Sequence, residues 1–469
     1  MIKKFFKTRE MKMYRVNAEL EGHIFAFGRI GAGKSVSTKS IIEDYKENKK
    51  YKVFDMYGGE RSEGLYWCIP NRDKEYWEKL EKEFGQFDES PKKQFRVNLL
   101  YPYFSSKFPK KLPKKPDFVN SKVFTIPLKD IEVKDIMMCL GLLSDTGKGA
   151  WDNLTPMLKK EDNAASLDYY AEKLKIKNSI LYKNFIMPMV REKFLASKDC
   201  DYNIDLKQEA NDLDVITVLC LDYVPEKYHL FILNYLLRKL VGLIDKGGIK
   251  KRNIIFIREA STFFRATEDS VLEDKFKIFR TEISQYIKMG RRGMYFVLDL
   301  QSPNECKGVV QGSEDFMLMY KTTSWRDKAE MTDELKRERR MSPAQVADLA
   351  FLEKGEVYIA ETGNIVHKVK ITLPRSDYWK KEYGNFYKSE WEKVGGEWKN
   401  FEAEKDYIVV KSDEVKEKYK DKLKALKKEP VKKSVIKQDE ENDPMEELVK
   451  ATENLSIIKP TRKLRPLPF

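Results

Sequence analysis

A single octapeptide narrows the architectures open to this chain: Gly28-Arg29-Ile30-Gly31-Ala32-Gly33-Lys34-Ser35. Glycine, four residues, then Gly-Lys-Ser is the Walker A pattern, in which successive backbone N–H groups curl around a phosphate and glycines supply the backbone angles. The apolar run Ile24-Phe25-Ala26-Phe27 precedes it, and 35–45 reads as a helix. The motif therefore has the strand–loop–helix setting that lets a helix N-terminus face an anion. Gly28, Gly31, Ala32, Gly33, Lys34, Ser35 and Val36 are the expected nucleotide-binding residues. Lys34 would reach the β- and γ-phosphates and Ser35 would ligate Mg²⁺, so ATP and Mg²⁺ are the expected cofactors.

The rest of the chain is read around that loop. A second strand at 51–54 ends on Asp55, and 57–61 is rich in turn residues. This βαβ opening implies a parallel sheet covered by helices. Residues 70–117 interrupt the pattern with a charged helix at 74–84 and a basic, proline-punctuated loop at 105–117. A strand is expected at 123–126, and about 131–200 reads as a helical insertion. Alternation resumes with a strand at 215–221 followed by Asp222, an amphipathic helix at 227–244, and a strand at 253–257 ending in Arg258-Glu259. A helix at 275–288 leads through Gly290-Arg291-Arg292-Gly293 into a strand at 294–298 that ends Asp299-Leu300-Gln301. Further strands are expected at 316–320 and 355–360, then an alternating stretch at 365–373. The fold class is α/β: a P-loop NTPase of RecA/ASCE type, with a mostly parallel sheet flanked by helices.

The expected organisation is a basic lead-in at 1–20, a core at 21–375, an extension at 376–400 and a charged tail at 401–469. Residues 411–437 hold eleven Lys against five Asp or Glu, and the end is basic and proline-rich. Dense charge with few apolar residues reads as disorder. The net charge of +14 over 469 residues favours an anionic partner, most often nucleic acid. Five scattered cysteines without a CxxC pair, and three histidines, argue against a zinc site and fit a reducing cytoplasm. No apolar run is long enough to span a membrane, and the basic start has no apolar core of a signal peptide.

Four strand ends carry candidate chemistry. Glu259 can act as general base or orient the attacking water. Its neighbour Arg258 stands where many P-loop ATPases place an Asp, and a guanidinium would be repelled by Mg²⁺, so it either points away or contacts phosphate. Asp55, Asp222 and Asp299 also sit at strand ends, where sheet ligands bind, and any of them can supply the missing carboxylate. Gln301, at the tip of a core strand, can touch the γ-phosphate or the lytic water.

In this order the motifs resemble the HerA/FtsK superfamily of DNA-pumping ATPases, nearest the branch of HerA and the type IV secretion ATPases. The likeness spans roughly 22–375: the Walker A loop, Asp55-x-x-Gly58-Gly59, the unit at 215–244, the strand at 253–259, Gly290–Gly293, Gln301-Ser302-Pro303 and Leu352-Glu353-Lys354-Gly355-Glu356. The resemblance implies a homo-hexameric ring with ATP between subunits and double-stranded DNA in the channel. It also implies an arginine donated to the neighbouring site, for which Arg326, Arg337, Arg339 and Arg340 are candidates and Arg326 is preferred. Arg291 and Arg292 are candidate DNA contacts, and the tail is a candidate docking segment for a capsid, secretion or nuclease partner. ATPases that power protein secretion or pilus assembly share this core, and Arg258 leaves open a nucleotide-binding subunit with weak hydrolysis.

Overall fold

The structure is a computed structural model. It describes residues 13–14, 22–47, 51–56, 67, 95–109, 118–140, 149, 152–154, 156–157, 171–175, 179, 182–196, 204–250, 252–264, 270–290, 293–302, 315–323, 341–361, 366–371, 373–374 and 376. The expected helix at 74–84, the turn at 57–61, most of the basic loop and the whole tail lie outside these residues.

One large sheet organises the molecule. Its strands in chain order are β1 (Met13–Tyr14), β2 (Ile24–Phe27), β3 (Tyr51–Asp55), β4 (Arg96–Pro102), β5 (Val119–Phe124), β8 (Val215–Leu219), β9 (Arg252–Ile257), β10 (Met294–Leu300), β11 (Phe316–Met319), β12 (Glu356–Glu361) and β13 (His367–Ile371). The spatial order is β1-β13-β12-β11-β2-β10-β9-β3-β8-β4-β5. From β11 to β5 every neighbouring pair is parallel, while β12 runs antiparallel to both β11 and β13. A separate two-stranded sheet joins β6 (Ile126–Pro127) to β7 (Leu195–Ala196). The expected strand at 123–126 is thus the end of β5 followed by β6.

The central strands read as continuous apolar runs because both faces are covered. Alternate residues go to opposite faces. Phe25 and Phe27 join one core with Phe54, Ile255, Ile257, Phe296 and Leu298, while Ile24 and Ala26 join the other with Val53, Ile254, Phe256 and Val297. Helix α1 (Lys34–Glu47) covers the second face, through Ile41, Ile42 and Tyr45. The first face is covered by α2 (Val133–Leu140), by α5 (His229–Asp245), which buries Phe231, Leu233 and Leu237, and by α7 (Ser270–Gly290). Shorter helices are α3 (Met187–Arg191), α4 (Leu206–Asn211), α6 (Ser261–Phe264) and α8 (Pro343–Asp348).

Two expectations need correction. Residues 70–117 do not simply interrupt the sheet: β4 lies within them and pairs with β8 and β5. The lead-in at 1–20 also contributes a strand, since Met13 and Tyr14 pair with Lys370 and Ile371. The described part of the helical insertion packs on the main core: α2 lies against α5 and α7. There, Arg238 on α5 pairs with the fully buried Asp135 through Nε at 3.2 Å, and reaches Glu132 at 2.6 Å. Asn234 donates to Asp135 at 2.9 Å and accepts from the Tyr286 hydroxyl of α7 at 3.2 Å.

Candidate functional site

The phosphate loop runs from the end of β2 to the start of α1, at the C-terminal edge of the parallel strands, where ligands of such sheets bind. Its shape needs glycine at defined places. Gly33 adopts φ +97°, and a Cβ there would come within 3.1 Å of the Gly355 amide nitrogen. A Cβ on Gly28 would meet the Tyr320 Cβ at 2.7 Å. Neighbouring segments brace the loop from outside: Arg29 N–H donates to the Lys321 carbonyl at 3.1 Å, and Gly355 N–H donates to the Ala32 carbonyl at 3.2 Å. The turn at 352–356, read from sequence as part of the superfamily pattern, therefore packs directly on the phosphate loop.

Helix α1 starts at Lys34 and carries no acidic residue of its own in its first turn. Val36 is half-buried in that turn. The Lys34 amine donates to the Gly28 carbonyl at 2.8 Å and to the Arg29 carbonyl at 3.3 Å, so its stem is folded along the loop.

The neighbouring strands bring their ends to the same place. β10 lies directly beside β2, with Asp299 opposite Ala26. Its side chain is buried, accepts a hydrogen bond from the Ser35 hydroxyl at 2.5 Å, and lies 3.7 Å from the Lys34 amine. Burial pushes the Asp299 carboxyl up to about 6, with Lys34 and the Ser35 hydrogen bond opposing the shift. Of the three strand-end aspartates left open by the sequence, Asp299 is the one on Ser35. Asp55 is otherwise engaged: it takes Arg258 through Nη2 at 2.8 Å and Nε at 3.3 Å, and the Trp67 indole N–H at 3.0 Å. Burial raises the Asp55 carboxyl above its ordinary value, while Arg258 and Trp67 act in the opposite sense. Asp222 follows β8, farther along the sheet, and is half-buried.

Arg258 thus points toward β3, the alternative in which it turns away from the loop. The Lys39 amine of α1 stands 4.8 Å from the centre of the Trp67 ring. Glu259 is exposed and holds φ +48°, a conformation uncommon for a non-glycine residue and often found at functional sites. Its backbone is fixed by the turn that follows, where Thr262 N–H donates to the Glu259 carbonyl at 2.9 Å and Ala260 N–H to the Asp299 carbonyl at 2.8 Å. Gln301 is half-buried, with its backbone N–H on the Ser261 hydroxyl at 2.8 Å. Lys34 and Ser35 at the start of α1, after β2, therefore stand with Asp299 and Gln301 at the end of β10 and Glu259 after β9, strands that are adjacent in the order β2-β10-β9. Arg291, Arg292, Arg326, Arg337, Arg339 and Arg340 lie outside the described residues.

No helix among the described residues is long and apolar enough to cross a membrane. No protein-family model matches the sequence, and no curated protein matches it. Solved structures similar to the chain include the bacterial conjugative coupling protein TrwB, at 12% identity and TM-score 0.44, over 79% of this chain and 91% of that one. VirB4 of Thermoanaerobacter pseudethanolicus is similar at 12% identity and TM-score 0.45, over 76% and 90%. The genome packaging NTPase B204 from Sulfolobus turreted icosahedral virus 2 is similar at 9% identity and TM-score 0.32, over 75% and 98%. All three lie below 15% identity and below a TM-score of 0.5.

Proposed function

We propose that the chain binds ATP on the loop at 28–35 and hydrolyses it, and that hydrolysis drives DNA through a hexameric ring in packaging, transfer or processing. The reading is supported by a braced phosphate loop leading into Ser35 of α1, beside the adjacent parallel strands whose ends carry Gln301 and Glu259. Backbone amides of 31–35 and the start of α1 hold the phosphates, and Lys34 neutralises the β- and γ-phosphates. The donor set also fits a divalent cation: the Ser35 hydroxyl opens the helix with a buried carboxylate against it. Mg²⁺ held there supplies charge neutralisation at the phosphate oxygens. Glu259 takes the proton of the attacking water or orients it, Gln301 reads the γ-phosphate, and Arg326 completes a neighbouring subunit's site.

A second reading, a nucleotide-binding subunit with slow hydrolysis, is favoured by Arg258, a cation where a carboxylate is expected beside the catalytic Glu. One assay separates them: ATP hydrolysis by the purified chain with and without double-stranded DNA, alongside Lys34→Ala and Glu259→Gln. The motor reading expects DNA to raise turnover. Lys34→Ala should weaken nucleotide binding roughly tenfold or more, as loss of charge-assisted hydrogen bonds worth about 1.5–3 kcal/mol implies. Glu259→Gln should keep binding and lower turnover by about 10²–10⁴-fold. ATP binding without hydrolysis, under either condition, would overturn the motor and leave the second reading.

A further inference from the structure

We propose that Asp299, at the end of β10, is the carboxylate that holds the metal–nucleotide complex at Ser35, in place of a carboxylate at the end of β9, and that Arg258 and Asp55 form a pair that keeps the β9 position out of that role. The inference rests on the nucleotide-binding reading above and deepens it. Three observations carry it. The Ser35 hydroxyl donates to Asp299 Oδ2 at 2.5 Å, and the other carboxylate oxygen lies 3.7 Å from the Lys34 amine, so one buried side chain touches both chemically expected residues of the loop. β10, not β9, is the strand beside β2, and the ladder sets Asp299 opposite Ala26, close to where the loop begins. Finally, the β9 end is occupied by a guanidinium that is bound to Asp55 through two nitrogens and cannot ligate a cation.

The charges are arranged consistently with this division. An Asp55 without a partner would be a buried carboxylate lacking compensation, which is costly. Instead Asp55 is neutralised by Arg258 and Trp67, and Asp299 is left to the loop. Asp299 is thereby a positioning residue: it fixes the Ser35 hydroxyl and would orient it toward a cation held there, as outer carboxylates do around metal ligands.

The test is nucleotide affinity, measured by titrating a fluorescent ATP analogue into the full chain in excess Mg²⁺ and, separately, in EDTA. Wild type is expected to bind more tightly with Mg²⁺. Asp299→Asn should lose roughly 10- to 100-fold of the Mg²⁺-supported affinity, the usual cost of removing such a group, while metal-free affinity stays the same or rises because a negative charge near the phosphates is gone. Ser35→Ala combined with Asp299→Asn should cost little more than either alone, since both act on one ion. If Asp299→Asn keeps the wild-type ratio between the two conditions, the assignment falls. If it loses metal-free binding as severely, Asp299 shapes the loop and the assignment also falls. If wild type binds no nucleotide in either condition, the nucleotide-binding reading itself falls, which is a different outcome from the first two.

Discussion

Lys52 lies wholly inside the molecule on β3, with its amine donating to the Val215 carbonyl at 3.0 Å. Burial pushes this amine down to about 7; Glu209 and Asp212 oppose the shift, and Lys46 and Lys122 add to it. The consequence for stability has a definite sign. Between about 7 and the ordinary lysine value near 10.4, the unfolded chain holds a proton that the folded chain has shed, so stability rises with pH across that window. Below it both states are protonated and the fold carries the full cost of a buried ammonium. Lys52→Met should therefore be more favourable, relative to wild type, at about pH 6 than at about pH 9, as linkage requires. Urea melts of both proteins at the two pH values check this, and a difference independent of pH would show that the buried amine keeps its proton at both. Residue chemistry of this kind was only partly legible in the sequence. Gly28, Lys34 and Ser35 are readable because the phosphate loop dictates residue types at fixed spacing. The choice among Asp55, Asp222 and Asp299 was not, because it depends on which strand lies beside β2, and strand order is a tertiary fact.

At the scale of elements, the strands flanking the loop were readable as apolar runs, and β4 was not. Arg96-Val97-Asn98-Leu99-Leu100-Tyr101-Pro102 carries an arginine, an asparagine and a proline, which break the pattern of a buried strand. Asn98 is nonetheless buried because Glu209 of α4 accepts both hydrogen bonds from its amide, at 3.0 and 3.2 Å. Thr217 of β8 and Lys122 of β5 bond the same carboxylate. The partner that makes a polar strand residue tolerable is more than a hundred residues away. A similar polar anchor holds the helical layer. Asp135 on α2 receives Arg238 and Asn234 of α5. Asp135→Ala would leave Arg238 only the half-exposed Glu132 and the Asp130 carbonyl and would unpair the Asn234 amide, and should destabilise by about 1–3 kcal/mol, the usual cost of an unsatisfied buried polar group. Urea denaturation measures it; a loss under about 1 kcal/mol, the range of exposed pairs, would show that the network is solvated.

For the whole molecule, the ring proposed above has a physical motive in the surface. Ile30 and Phe351 are large hydrophobics left 78% and 76% exposed. Ile30 is the tip of the phosphate loop, and Phe351 lies in the segment leading to the turn whose Gly355 amide donates to Ala32. Two exposed apolar side chains flanking a nucleotide site fit a site closed by a second copy, because burying each large side chain contributes about 1.5–3 kcal/mol. The basic excess of +14 per chain favours an anionic partner for such an assembly. Phe351→Glu should then stop assembly while leaving nucleotide binding intact, since the side chain projects from the turn into solvent. Sedimentation velocity with a non-hydrolysable ATP analogue is the measurement. Wild type should sediment as a closed oligomer and the variant as a monomer with normal analogue affinity and at least tenfold lower turnover, a loss of about 1.4 kcal/mol of transition-state stabilisation. Assembly of the variant at wild-type concentrations would remove this surface from the interface. Hydrolysis by a monomeric wild type at full rate would remove the requirement for a neighbour's arginine.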